Sequence, residues 1–215
     1  MYMIKNYPNK FIPANYQQCT MTLMDNIADP NIRFDSKGIC NYYHEYFSEM
    51  PEEVKDKTFA KSQLEKIVNK ILMQKGNYNC ILGVSGGVDS TYLALKAKEL
   101  GLKPLLVHFD NGWNSELSVK NIENIVNNLG FDLYTHVFNW EQFRDIQLAH
   151  FRANVIDIEA ITDVAIAGTL TYIAQKYKIK FVLSGNNYVT EKILPKAWIF
   201  KDYFNIIDIH NKYGS

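Results

Sequence analysis

The sequence predicts an α/β fold, a doubly wound parallel sheet with helices on both faces and a smaller unit at the N-terminus. Four short apolar segments, each followed by a turn, alternate with segments of helical apolar period. We expect right-handed crossovers between the parallel strands. The expected strand order is 3-2-1-4, with a place for a fifth strand. The predicted strands are residues 79–84, 104–109, 132–138 and 180–183, and the predicted helices are 59–75, 89–100, 115–128, 140–154 and 159–177.

The helices are assigned from apolar residues that recur at i, i+3, i+4 and i+7. For residues 59–75 and 89–100 the expected buried stripes are Leu64, Ile67, Val68, Ile71 and Leu72, and Leu93, Ala97 and Leu100. For residues 115–128 the stripe is Val119, Ile122, Ile125, Val126 and Leu129, and Gly130 closes the helix.

Composition places limits on the function. The 23 Lys and Arg residues balance 23 Asp and Glu residues, so nucleic acid is a disfavoured partner, although a local basic patch stays open. No apolar run approaches the ~20 residues of a membrane span, and residues 1–10 show no signal-peptide core. Three cysteines argue against a disulfide scaffold and indicate a cytoplasmic protein.

Two domains are predicted, residues 1–58 and residues 59–215. In the first, Cys19 and Cys40 each begin a pattern similar to half of a zinc knuckle, but Thr22 and Tyr43 stand where the second cysteines would be. A tetrahedral zinc site needs four ligands, and these cysteines with nearby His44 supply at most three. We therefore expect a metal-free remnant and no zinc.

The turn after the first strand is the strongest functional signal. Gly86 and Gly87 let the backbone approach a ligand, and the free N–H groups at the start of the following helix form an anion site. Ser85 and Ser90 add hydroxyl donors. The carboxylate of Asp89 would repel a bare phosphate, which indicates a Mg²⁺ ion between them.

Two other phosphate-binding loops are excluded, because no Lys follows Gly87 and no G-x-G-x-x-G pattern is present. The remaining pattern, Ser-Gly-Gly-Val-Asp-Ser after a strand, resembles the pyrophosphate loop (PP-loop) of the ATP pyrophosphatases. The resemblance implies cleavage of ATP between its α and β phosphates and transfer of AMP to a substrate oxygen. It implies that Ser85, Asp89 and Ser90 are catalytic and that Ser85, Gly86, Gly87, Val88, Asp89 and Ser90 bind ATP with Mg²⁺.

Two further strand ends should meet this loop, because ligands of open α/β sheets sit beyond the carboxyl ends of the strands. After the second strand, Phe109, Asp110 and Asn111 can read the adenine edge, and Gly112 and Trp113 are assigned to the substrate. His108 and Cys80 are expected to be buried structural residues. After the fourth strand, Gly185 is assigned to the nucleotide, and Asn186 and Asn187 are assigned to the substrate. Glu191 is assigned to the substrate and to Mg²⁺.

Two helices near the predicted site carry charged residues. Residues 140–154 should roof the site; Arg144, His150 and Arg152 could meet an anionic substrate, although a solvated helix face is the simpler interpretation. Asp163, near the start of the next helix, is assigned to the substrate pocket, and its alternative role is to complement the helix dipole.

Several segments together resemble the N-acetyl sugar amidotransferases of surface-polysaccharide and nonulosonic-acid biosynthesis, including the O-antigen and pseudaminic or legionaminic acid pathways. They are residues 19–46, the Val-His-Phe-Asp-Asn-Gly-Trp element, residues 157–163, and Ser-Gly-Asn-Asn with Pro195 and Trp198. The resemblance implies conversion of an acetamido group to an acetamidino group at the expense of ATP. Ammonia would come from a separate glutaminase with a cyclase-like partner, and the ATP-binding domain would be truncated at its C-terminus.

Two alternatives stay open. One is a tRNA-modifying PP-loop enzyme of the thiolation or lysidine type, which uses the same adenylation step. The other is a catalytically inactive nucleotide-binding subunit, which the two missing cysteines and the early end of the chain favour. The sugar and the oligomeric state, including a homo-oligomer, are not determined by the sequence.

Overall fold

The computed structural model describes residues 13–198 and 202–215. These residues form two compact units. The first contains the described part of Met1–Lys55 together with Tyr188–Lys196, and the second contains Asp56–Asn187 together with the described part of Ala197–Ser215. The first twelve residues of the predicted N-terminal domain lie outside the described residues, and its predicted boundary after residue 58 stays a prediction.

The described elements follow one another along the chain in a largely alternating order. The helices are α1 (Asn41–Ser48), α2 (Glu52–Lys55), α3 (Lys57–Leu72), α4 (Val88–Glu99), α5 (Glu116–Leu129), α6 (Trp140–Ala153), α7 (Ala160–Tyr177), α8 (Tyr188–Glu191) and α9 (Tyr203–Tyr213). The strands are β1 (Cys80–Gly83), β2 (Pro104–Asp110), β3 (Leu133–Val137) and β4 (Val182–Leu183). Among these helices none is long and apolar enough to cross a bilayer.

The four strands form a parallel sheet in the order β3-β2-β1-β4, which confirms the predicted fold class and strand order. One row of leucines runs across the whole sheet: Leu133 pairs with Leu106, Leu106 with Leu82, and Leu82 with Leu183. The described residues contain no fifth strand.

The core lies on both faces of the sheet, because successive strand residues point to opposite sides. On one face Leu82 and Leu106 pack with buried residues of α3, α4 and α5, namely Val68, Ile71, Ala94, Ala97, Ile122 and Ile125. On the other face Ile81, Leu105 and Val107 pack with Ile173 of α7. Helices therefore cover both faces, as a doubly wound sheet requires.

Some predicted stripes are only partly buried. In α3, Val68 and Ile71 are buried, but Leu64, Ile67 and Leu72 keep 49%, 48% and 46% of their surface exposed. Helical period identifies an amphipathic face without showing how much of that face a neighbour covers. The prediction of a fully buried stripe was therefore wrong for these three side chains, and likewise for Val119 of α5.

The C-terminal helix α9 was not predicted. Its N-cap Asp202 accepts a hydrogen bond from the Phe204 amide. It packs on α6, where His210 Nε2 lies 2.7 Å from Asp145 Oδ2 and Arg152 Nη1 donates to the Tyr213 carbonyl at 2.9 Å. These polar contacts join residues more than sixty positions apart, so no local sequence window contains them.

Candidate functional site

The glycine turn after β1 is fixed against α5. Gly86 has φ +75°, and a Cβ atom on it would lie 2.3 Å from the Ser118 carbonyl oxygen. Asn121 Nδ2 donates to the Gly86 carbonyl at 2.9 Å. Glycine is therefore required twice here, once by the left-handed backbone and once by the close approach of α5.

The two serines of the turn bond to the turn itself. Ser90 is buried, its hydroxyl donates to the Gly87 carbonyl at 3.3 Å, and it accepts from the Ser85 amide at 3.3 Å. Ser85 Oγ lies 3.2 Å from Ser90 Oγ and accepts from the Gly87 amide at 3.3 Å. Both hydroxyls thus hold the shape of the loop, a role that the sequence analysis did not foresee; their roles toward a ligand stay predictions.

The start of α4 is open to solvent. Gly87 caps the helix without a side-chain hydrogen bond, Val88 is 80% exposed, and the Asp89 side chain is exposed. Amides in the first turn of a helix have no carbonyl partner within that helix, so they can bind an anion. The turn is therefore accessible rather than closed by packed side chains.

A groove of about 630 Å³ borders the same turn and continues between α4 and α5. Gly86, Gly87 and Val88 form one end, and Tyr92 and Asn121 are among the residues lining its walls. The turn thus has ligand-sized space beside it.

The segment after β4 contacts the start of α4 directly. A Cβ atom on Gly185 would lie 3.2 Å from the Ser90 amide nitrogen and 3.3 Å from the Asp89 carbonyl carbon. We expected Gly185 to give close access to a nucleotide, and the close approach that the structure shows is to the protein's own helix. Asn186 follows, with its amide donating to Ser184 Oγ at 3.3 Å and its Oδ1 accepting from that hydroxyl.

The segment after β2 forms a polar turn. Asp110 Oδ1 accepts from the Gly112 amide and from Asn114 Nδ2, both at 3.1 Å, and Asn111 Oδ1 accepts from the Trp113 amide at 3.2 Å. These side chains stabilise their own turn. Their predicted contacts with adenine and substrate would add to that role.

Helix α6 begins against this turn. Gly112 has φ +83°, and a Cβ atom on it would lie 2.6 Å from the Trp140 ring. The Trp113 ring is 61% exposed and meets Trp140 edge to face at 5.6 Å between centroids. Phe109 stacks on Phe138 at 6.2 Å. The aromatic contacts hold the first turn of α6 at the carboxyl end of β2.

Three of the predicted site segments meet at one edge. The strands β2, β1 and β4 are neighbours and parallel, so the residues that follow them emerge at the same edge of the sheet. Asn186 and Asn187 lie in the segment that follows β4. Asp163 is exposed in the first turn of α7. Glu191 belongs to α8 in the first unit, so its assignment to substrate or Mg²⁺ stays a prediction.

His108 and Cys80 are buried structural residues, as predicted. His108 is 6% exposed, and its Nδ1 lies 3.0 Å from the Val84 carbonyl. This contact connects the end of β1 to β2, which contains His108. Burial raises the pKa of the fully buried Cys80 thiol to about 12. A thiol of this kind is protonated and inert at neutral pH.

In the first unit, backbone amides donate hydrogen bonds to the sulfur of one of the two cysteines, Cys19. Cys19 Sγ accepts from the Cys40 amide at 3.2 Å and from the Met21 amide at 3.4 Å, and Thr22 Oγ1 lies 3.8 Å from Cys40 Sγ. Burial raises the pKa of Cys19, but hydrogen bonds from Thr22 and these amides outweigh it and lower the pKa to about 7.

The third potential zinc ligand is engaged elsewhere, since His44 Nε2 lies 2.9 Å from Asp35 Oδ2. Residues 13–198 and 202–215 bring no three His, Cys, Asp or Glu side chains together in a way that could hold a metal ion. Whether the protein is isolated without zinc remains a prediction.

The charged residues of α6 are distributed differently from expectation. His150 is fully buried, so placing it on a solvated face was wrong. Its Nδ1 lies 2.9 Å from the Ile146 carbonyl. Arg152 bonds the C-terminal segment, and Arg144 is exposed. Helix α9, which packs on α6, was not revealed by sequence period.

Comparisons with known proteins give limited similarity. No protein-family model matches the chain. The chain is 35% identical over 86 residues to MJ1599, an uncharacterized protein of Methanocaldococcus jannaschii. That match covers 36% of this chain and 31% of the relative, so the chain spans about a third of the relative's length.

Two solved structures match the chain with low scores. A predicted tRNA methyltransferase subunit from Methanocaldococcus jannaschii matches with a TM-score of 0.37 and 19% identity, over 62% of this chain and 63% of that chain. The U34-tRNA thiolase NcsA from Methanococcus maripaludis, solved with its 4Fe-4S cluster, matches with a TM-score of 0.31 and 14% identity, over 73% of this chain and 64% of that chain. At these values the likeness carries no argument about activity.

Proposed function

We propose that the chain binds ATP at the turn of residues 85–90 and transfers AMP to an acceptor oxygen with release of pyrophosphate. The observation that supports this is the open start of α4: Gly86 is fixed on Ser118, while Val88 and Asp89 are exposed at the carboxyl edge of the sheet. Backbone amides placed this way suit the phosphates of a nucleotide. Because the loop is already held in place by α5, its amides need little reorganisation during the reaction.

Asp89 is the residue assigned to Mg²⁺. Its carboxylate is exposed in the first turn of α4, and carboxylate oxygens are preferred Mg²⁺ ligands. A bound Mg²⁺ ion would offset the charge that develops on the leaving pyrophosphate. Catalysis by this chain is then mainly positioning of the α-phosphorus by the loop.

The acceptor that we propose is the acetamido oxygen of an N-acetylated sugar. Its attack on the α-phosphorus expels pyrophosphate, and ammonia then attacks the activated carbon and expels AMP, leaving an acetamidino group. Asn186 and Asn187 can donate to and accept from such a substrate. A separate glutaminase would supply the ammonia. Other residues proposed to line the substrate are Gly112, Trp113, Asp163 and Glu191.

A second acceptor, tRNA, is the alternative. Both solved structures named above carry tRNA-modification names, and the same adenylation step serves either acceptor. Because the TM-scores are low, they carry no argument for tRNA, and tRNA is tested here as a second acceptor. An inactive nucleotide-binding subunit is the third possibility, distinguished by ATP binding without turnover.

The deciding experiment measures AMP and pyrophosphate from ATP and Mg²⁺ in parallel reactions, one with an N-acetyl sugar nucleotide and ammonium, and one with bulk tRNA. Release of both products only with the sugar supports the amidotransferase. Release only with tRNA, with binding that weakens steeply as salt rises, supports the tRNA enzyme. ADP and phosphate as the only products would contradict the adenylation chemistry.

A further inference from the structure

A second cavity lies between α6, α9 and the start of α7. Its volume is about 250 Å³, and the residues that matter for its chemistry are His150, Asn154, Asp157, Trp198, Asn205 and Ile209. The cavity is far larger than the roughly 30 Å³ share of one water molecule and somewhat smaller than sites for drug-sized ligands, which start at about 300 Å³. It has room for a fragment-sized molecule.

His150, which lines this cavity, has a buried ring nitrogen without a hydrogen-bond partner in the described part of the chain. His150 is fully buried, and its Nδ1 must carry a proton because the Ile146 carbonyl 2.9 Å away can only accept. In a neutral imidazole the other nitrogen is then an acceptor. Among the described residues, Nε2 has no hydrogen-bond partner. A buried acceptor without a donor destabilises the protein, which favours a bound molecule that donates to it.

The residues that line the cavity indicate which charge a bound molecule can carry. Among the described residues of the lining, the ionisable ones are Asp157 and His150, whose polar groups include a carboxylate and an imidazole lone pair. Both disfavour an anion. Asn154 and Asn205 can accept as well as donate, and Ile209 and Trp198 add apolar surface. The cavity is therefore suited to donors on an apolar body.

We propose that this cavity binds a small, non-anionic molecule that carries an N–H or O–H donor on an apolar body and donates that hydrogen to His150 Nε2. The site is separate from the proposed ATP loop in its residues, and it stands whether or not the chain transfers AMP. It also gives α9 a function, since Asn205 and Ile209 complete the wall.

The test uses two probes of the same shape, indole and benzofuran, which differ in that only indole has an N–H donor. Binding to the full chain is measured by calorimetry. We expect indole to bind about three- to tenfold more tightly than benzofuran, the factor that one net hydrogen bond supplies. We also expect indole, and not benzofuran, to change the ¹⁵N shift of His150 Nε2.

Two variants locate the effect. His150→Phe keeps a ring and removes the acceptor, so it should abolish the preference for indole. His136→Phe, on β3 and outside this lining, should preserve it. Equal affinity of the wild-type protein for the two probes, no detectable binding of indole, or an unchanged preference in His150→Phe would each overturn the proposal. The wild-type comparison remains valid even where a variant fails to fold.

Discussion

Gly86 and Ser118 are in direct backbone contact: a Cβ atom on Gly86 would lie 2.3 Å from the Ser118 carbonyl oxygen and 2.8 Å from its carbonyl carbon. The contact joins the turn after β1 to the first part of α5. It fixes the backbone of the turn on α5, and it makes Gly86 a sharper test of the loop than Gly87.

Gly86→Ala should destabilise the protein by more than about 3 kcal/mol. A left-handed backbone costs a non-glycine residue about 1–3 kcal/mol, and the clash with Ser118 adds to it. Gly101→Ala is the matched control, because Gly101 also has positive φ (+71°) but has no atom within 4 Å of an added Cβ. Urea unfolding should show a clearly smaller loss for Gly101→Ala; equal losses would remove the contact from the explanation.

Asp89→Asn should reduce pyrophosphate release at least tenfold, since a neutral amide is a poorer Mg²⁺ ligand than a carboxylate. Stability should change by no more than about 0.5 kcal/mol, because the side chain is exposed. Glu116→Gln provides the comparison, as Glu116 is an exposed acid in the first turn of α5. Coupled-enzyme detection of pyrophosphate measures both variants, and full activity of Asp89→Asn would exclude this carboxylate from the mechanism.

The free energy of unfolding should rise between pH 7 and pH 9 through Cys19. Hydrogen bonds lower the pKa of this thiol from 9.0 to about 7 in the folded protein, so the unfolded chain binds more protons across that interval. The contribution is complete above pH 9 and is lost as pH falls through 7. Denaturation at several pH values should show a smaller rise for Cys19→Ser.

Cys80→Ala is the control for that titration, because burial raises the pKa of Cys80 to about 12, outside the interval. Thiolate absorbance should keep its inflection near pH 7 in Cys80→Ala and lose it in Cys19→Ser. If the inflection near pH 7 remains in Cys19→Ser, it belongs to a group other than Cys19.

A zinc site should appear when Thr22→Cys and Tyr43→Cys are combined. With Cys19 and Cys40 the double variant offers four thiolates, the ligand set of a structural zinc site. Thr22 already reaches Cys40 Sγ, at 3.8 Å from its hydroxyl. We expect one equivalent of zinc by metal analysis and a melting temperature that falls on chelation.

The wild-type protein and each single variant should show neither effect. Tyr43→Cys alone also reports the cost of losing the Tyr43–Phe47 ring contact, 4.6 Å between centroids. Stoichiometric zinc in the wild-type protein would contradict the expectation of a metal-free remnant.

Asp145→Asn should loosen α9. His210 hydrogen-bonds the Asp145 carboxylate and, with bonds from Ser215, lowers its pKa, so this stabilisation is lost as pH falls below the ordinary carboxyl value of 3.8. Hydrogen exchange of the α9 amides should speed up in Asp145→Asn. Asp208→Asn, which removes an exposed pair with Lys212 inside α9, should have a smaller effect; the reverse order would show that α9 is not held through Asp145.

The sequence alone predicted the four strands, the five helices between residues 59 and 177, and the glycine turn, because each depends on a local pattern. Apolar period, capping residues and the Gly86-Gly87 pair lie within a few positions of one another. The buried roles of His108 and Cys80 also followed from their place in apolar strands.

Only the tertiary structure decided which side chains each pattern meets. The buried bonds of Ser90, the contact of Gly185 with α4, the exposure of Leu64 and the burial of His150 depend on partners from other elements. Helix α9 is attached to α6 through bonds that join residues as far apart as Asp145 and Ser215. Local period fixes which face of a helix is apolar, and long-range packing determines what covers that face.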